Sequence, residues 1–115
     1  MKTDTLFYQL FQEFPWIFFQ LIESSEIDIS AYEFIAPEIK QRAFRLDGLF
    51  STKEECNNLP LYFVEVQFYL ETDFYDRLFP SIFLYFSQYK PQNPEWFAIV
   101  IFDRRSNDVA IPTRS

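Results

Sequence analysis

Residues 44–68 read FRLDGLFSTKEECNNLPLYFVEVQF. Two apolar, β-prone runs flank the polar loop STKEECNN (residues 51–58). The pattern is that of two neighbouring strands joined by a short connection. In the second run Tyr62, Val64, Val66 and Phe68 alternate with Leu61, Phe63, Glu65, Gln67 and Tyr69. Both faces are mostly apolar, as in a central strand covered on each side. In the first run Phe44, Leu46, Gly48 and Phe50 are expected on one face, and Arg45, Asp47 and Leu49 on the other. The anomaly is polar. Asp47, Glu65 and Gln67 lie inside the most hydrophobic segments, where an unpartnered carboxylate costs several kcal/mol to bury (~3–5).

Working outward, residues 3–14 space Leu6, Phe7, Leu10, Phe11 and Phe14 as a helix, with Thr3 or Asp4 placed to cap it. Pro15 ends that helix and suits the first turn of a second short one, PWIFFQLIES. After the polar loop ESSEIDIS, AYEFIAPEIKQ is extended, and Pro37 limits its sheet pairing. QRAFRLDGLF forms the next strand and LPLYFVEVQFYL the one after. ETDFYDRLFPSIFLYFSQYK is a helix capped by Thr72 or Asp73. Its expected buried stripe is Phe74, Leu78, Phe79, Ile82, Phe83 and Phe86, with a kink at Pro80 near Asp76. EWFAIVIFD closes the series as a strand. The order is αβββαβ, an α/β (α+β) arrangement. The first three strands are expected antiparallel. The helix before the last permits a right-handed crossover and a parallel pairing, giving a mixed sheet flanked by helices. Residues 1–103 form a single domain, and 104–115 a polar C-terminal tail.

Composition narrows the chemistry. The 115 residues include 16 Phe, 7 Tyr and 2 Trp, so the core is expected to be built from rings. A single Gly excludes a Gly-rich phosphate loop. The absence of His removes Ser-His-Asp and Cys-His catalysis and His-ligated zinc. The net charge of −7 argues against a generic basic nucleic-acid binder, though a bound cation reverses the local sign. Cys56 is the only cysteine, so no disulfide forms within the chain, and a reducing cytoplasm is the expected compartment. No apolar run approaches the ~20 residues that span a bilayer.

Strand periodicity puts Glu65 and Gln67 on one face, about 7 Å apart. If the two strands pair, Asp47 reaches the same patch. Such a pair of acids suits Mg²⁺ (or Mn²⁺), which takes one or two carboxylates plus waters and phosphate oxygens. The Gln67 amide could orient a water or hold a phosphate oxygen. Lys40 and Arg42, two apart, could face DNA phosphate. The bland alternative pairs Asp47 and Glu65 with Lys40, Arg42 or Arg45, or places them at a solvated sheet edge.

MKTDTLFYQLFQEFP, YEFIAPEIKQRAFRLDGLF, YFVEVQFYLETDFYDRLFPSIFLY and WFAIVIF, in this order, resemble an uncharacterised, mainly cyanobacterial family. That family is allied to the recombination-promoting nucleases and putative transposases of the PD-(D/E)XK superfamily. The resemblance spans nearly all of residues 1–103. It implies a restriction-endonuclease-like core that cleaves DNA with Mg²⁺. Asp47 then stands as the motif's Asp, Glu65 as its second acid, and Gln67 where the superfamily usually has Lys. The resembled proteins typically run on beyond the last strand. The alternative is a non-catalytic relative serving as a structural or interaction module. A third reading, an acidic DNA mimic, fits the charge but not strand-embedded acids. Aromatic surplus around Phe14, Trp16 and Phe18, and at Tyr75 and Tyr85, leads to the expectation of a homodimer.

Overall fold

The computed structural model describes residues 3–24, 26–40, 44–67 and 73–102. Helix α1 (Thr3–Glu13) is followed by α2 (Pro15–Leu21), then strands β1 (Tyr32–Ile35), β2 (Gly48–Thr52) and β3 (Leu61–Gln67). Helix α3 (Phe74–Tyr89) leads into β4 (Trp96–Phe102). The sheet order is β1-β2-β3-β4. β2 pairs antiparallel with β1 on one side and with β3 on the other, and β4 runs parallel to β3 across the α3 crossover. This is the mixed, helix-flanked sheet that the hydrophobic periodicity predicts.

Alternation along β3 divides the core in two. Tyr62 and Val64 face α1 and α2, where Phe11, Phe18, Phe19, Phe34 and Phe50 pack together. Phe18 stacks on Phe50 at 4.6 Å between ring centroids and meets Phe11 edge-on at 5.6 Å. Such ring pairs each contribute about 0.5–1.5 kcal/mol beyond area burial. Leu61 and Phe63 face the other way, into a cluster with Leu46, Leu49, Phe74, Leu78, Ile82 and Tyr85 under α3. Pro15 occupies the first turn of α2, where its missing N–H costs nothing. β1 stops at Ile35, two residues before Pro37.

Three expectations about elements need correction. β2 begins at Gly48, not at Gln41, and residues 44–47 are not strand. Leu46 therefore escapes the alternation and joins the α3-side cluster instead of sharing a face with Phe50. On α3 the buried positions are Phe74, Leu78, Ser81, Ile82 and Tyr85, while Phe79 and Phe83 are 40% and 61% exposed. At 100° per residue those two rings turn out of the arc that 74, 78, 82 and 85 define. Asp73 occupies the N-cap position of α3 without a side-chain capping bond, and Pro80 lies inside the helix. The side chains of Thr3 and Asp4, and all of Thr72, lie outside the described residues.

Gly48 is the first residue of β2 and lies against Phe34. A Cβ at this position would meet the ring of Phe34 at 2.2, 2.8 and 3.0 Å. That ring cannot simply swing aside, because it packs against Phe50 at 4.5 Å, Tyr8 at 5.1 Å and Phe11 at 5.8 Å. Gly48→Ala is expected to destabilise the fold by about 1–3 kcal/mol through overpacking. Urea unfolding measures it, and an unchanged midpoint would remove the steric role assigned to the glycine.

Candidate metal centre

The β2–β3 ladder runs as far as Gly48 opposite Val64. The next opposed pair would be Asp47 and Glu65. Here the side chains take over from the main chain. The Asp47 amide N–H donates to Glu65 Oε2 at 3.0 Å, and the Val66 amide N–H donates to Asp47 Oδ2 at 3.2 Å. Each carboxylate thus accepts from the opposing strand in place of a backbone carbonyl. The two strands fork at this point, and the acids are interlocked across the fork. The two carboxyl groups also lie within hydrogen-bonding reach of one another.

Burial sets the electrostatics. Glu65 is 3% exposed, on the α3 face of the sheet. Its pKa is pushed up to about 8, first by burial and then by the charge of Asp47. The bond from the Asp47 amide opposes this, the carboxyl–carboxyl bond adds to it, and Arg77 on α3 pulls it down. Two acids this close favour either a shared proton or a cation. Asp47 also borders a small cavity beneath α1 lined by Phe7, Tyr8, Phe11, Phe34, Val64 and Val66.

Gln67 ends β3 and is half-buried, and its amide nitrogen donates to the Val66 carbonyl at 3.2 Å instead of to either acid. Lys40 is not brought to the pair. Its backbone N–H donates to Gln88 Oε1 at 3.0 Å, beside the last turn of α3. At 1.5 Å per residue that turn lies roughly 16 Å along the helix from Arg77. Arg42 lies outside the described residues. Arg77 stands beside the buried stripe of α3, half-buried, with its guanidinium carbon 5.8 Å from the centroid of the Phe74 ring.

Asp47 and Glu65 bring two carboxylates together, each with one oxygen accepting from a main-chain N–H, and these are the residues that would hold a hard divalent cation. Among the described residues no group of three His, Cys, Asp or Glu side chains gathers to hold a metal. Water and substrate oxygens would complete the shell, as is usual for Mg²⁺.

A family model described as "Protein of unknown function (DUF2887)" matches residues 3–115, and the chain belongs to this family. No curated protein matches it. Among the described residues no helix is long and apolar enough to cross a membrane.

Proposed function

We propose that the chain is a metal-dependent DNA endonuclease-like protein of the PD-(D/E)XK type, allied to the recombination-promoting nucleases and acting in the cytoplasm. The observation that supports this most is the Asp47–Glu65 pair interlocked at the fork of β2 and β3. It stands where the resemblance puts the two acids of the motif. Asp47 and Glu65 would hold Mg²⁺ or Mn²⁺. Once bound, such an ion polarises the phosphoryl oxygen and lowers the pKa of a coordinated water. The protein's own part is to fix both carboxylates through main-chain N–H groups, so that neither reorganises during the reaction. Gln67, the last residue of β3, would exchange its bond to the Val66 carbonyl for one to the attacking water or a phosphate oxygen. Water adds to phosphorus and gives up a proton to solvent, the P–O bond to the leaving sugar breaks, and the departing alkoxide takes a proton from solvent.

The test is direct. Purified wild-type protein is expected to nick supercoiled plasmid with Mn²⁺ or Mg²⁺ and to be silent in EDTA. Cutting in EDTA, or no cutting with either metal across pH 7–9, would remove the nuclease reading.

Cutting both strands of a duplex calls for two sites, and we place the chain in a two-fold homodimer. Phe14 and Trp16 stand exposed at the α1–α2 junction, as the sequence leads one to expect, but Phe18 and Tyr85 are buried and contribute no surface. Like charges on the two copies mean that the contact tightens with salt. Sedimentation at micromolar concentration checks it. A 14 kDa monomer at both low and high salt would rule the dimer out.

A further inference from the structure

We infer that the outer edge of β4 is an interface, and that it pairs antiparallel with β4 of a second copy across a two-fold axis. This names the surface of the homodimer proposed above; it rests on that association and not on the nuclease chemistry. β4 reads WFAIVIF, with no charge, proline or glycine in its seven residues. β3 is similarly apolar and is buried at six of its seven positions. β4 is buried at none: Phe97 is 46% exposed and the other six residues are half-buried. Strand order explains the contrast. Among the described residues β4 pairs with β3 on one side and with no strand on the other. The opposite edge of the sheet is blunted. β1 has only four residues, exposes Glu33 and stops before Pro37. β4 carries none of these devices, and a long apolar edge without them is a template for another strand.

The two faces of β4 select the occupant. Ile99 and Ile101 pack toward the α1–α2 cluster, and Trp96, Ala98 and Val100 toward the α3 cluster. A strand added at this edge extends both layers, so it must be apolar on both faces. β4 itself has that pattern. A two-fold axis normal to the sheet at Ile99 keeps each face with its like. Trp96, Phe97 and Ala98 then lie opposite the second copy's Phe102, Ile101 and Val100, and no charge enters the ladder. Aromatic and β-branched pairs of this kind are the favourable ones across strands. Two four-stranded sheets become one. Glu65 stands beside Val100, one strand in from the joint. The two acid pairs are thereby set on one face of the joined sheet, roughly 16 Å apart from strand spacing and rise.

The experiment uses the full chain with Cys56→Ser as background. Directly opposed residues of an antiparallel pair have Cα atoms about 4.5–5.5 Å apart, within the span of a disulfide. Ile99→Cys is therefore expected to cross-link into a dimer under mild oxidation. Phe83→Cys, exposed on α3, is expected to stay uncross-linked under the same conditions. Phe97→Lys is expected to weaken self-association at least about 100-fold in sedimentation and to keep its unfolding transition, because each copy brings a charge into the joint. A dimer that survives in Phe97→Lys, with Ile99→Cys uncross-linked, overturns the inference and leaves the homodimer standing on another surface, such as Phe14 and Trp16. A wild-type monomer at low and high salt overturns both, and leaves the edge of β4 to another protein. A dimer cross-linked through Ile99→Cys that never cuts DNA upholds the inference, and only the nuclease reading falls.

Discussion

Metal-free Glu65→Gln protein is expected to be more stable than wild type at pH 8–9, and the advantage to vanish below about pH 4.5. The sign follows from the direction of the shift. Glu65 has its folded pKa raised to about 8 from an ordinary 4.5. Between those values the folded state holds a proton that the unfolded state has released. Stability is therefore fully present below the unfolded value and drains away as pH rises toward 8, by up to roughly 1.4 kcal/mol per unit. Glutamine is a close mimic of the protonated acid. Its Oε1 accepts the Asp47 N–H, and its Nε2 donates to the Asp47 carboxylate where the shared proton would lie. The variant keeps the interlock and sheds the ionisation, for a gain on the order of a few kcal/mol at pH 9. Urea unfolding in EDTA at pH 5, 7 and 9 reads the difference, and carboxylates common to both proteins cancel in it. A constant gap across that range would mean that Glu65 and Asp47 do not share a proton. Added Mn²⁺ should reverse the order at pH 8, because only wild type presents both charges to the ion.

Much of the architecture is legible in the residues, and the errors have physical causes. β3 could be read from its alternation, because both of its faces meet packed layers and a slip of one residue would turn Glu65 into the opposite core. Pro15 separates α1 from α2 by local chemistry alone. The start of β2 was not legible. Asp47 ends the ladder by accepting from Val66, a contact that exists only once two distant segments have met. Nothing local in FRLDG distinguishes that from a continuing strand. The phase of α3 was misread for another reason. With 16 Phe in the chain, ring content does not mark the buried side. Tyr85 and Ser81 turn inward while Phe79 and Phe83 face out, because the stripe is set by how α3 lies on Leu49, Leu61 and Phe63. Strand order brings Asp47 level with Glu65, one position beyond the last pair of the β2–β3 ladder. The link from Lys40 to Gln88 was not legible, since it depends on a loop that leaves the end of β1 and runs beside the far end of α3.

Asp47→Asn is expected to cut DNA at least about 10³-fold more slowly than wild type while unfolding at the same temperature or higher. The variant isolates charge from structure. Asparagine retains a carbonyl oxygen to accept from the Val66 N–H, so the fork of β2 and β3 stays closed. Its amide NH₂ can donate to the buried Glu65, which removes the repulsion that raises that group. The pair is then left with one negative charge at most, and an N–H₂ stands where a ligand oxygen is needed. A hard cation that relies on two carboxylates loses half of its anionic donors, and solvent offers a better site. Asp47→Ala is the harsher companion. It removes the acceptor as well and leaves the Val66 N–H, close to buried surface, without its partner, at a cost of about 1–3 kcal/mol. Loss of cleavage in Asp47→Asn with an intact unfolding transition, together with weakened Mn²⁺ binding, assigns the carboxylate to the metal. Full cleavage by Asp47→Asn would place the ion elsewhere, and would leave the interlocked acids as a clasp that joins β2 to β3.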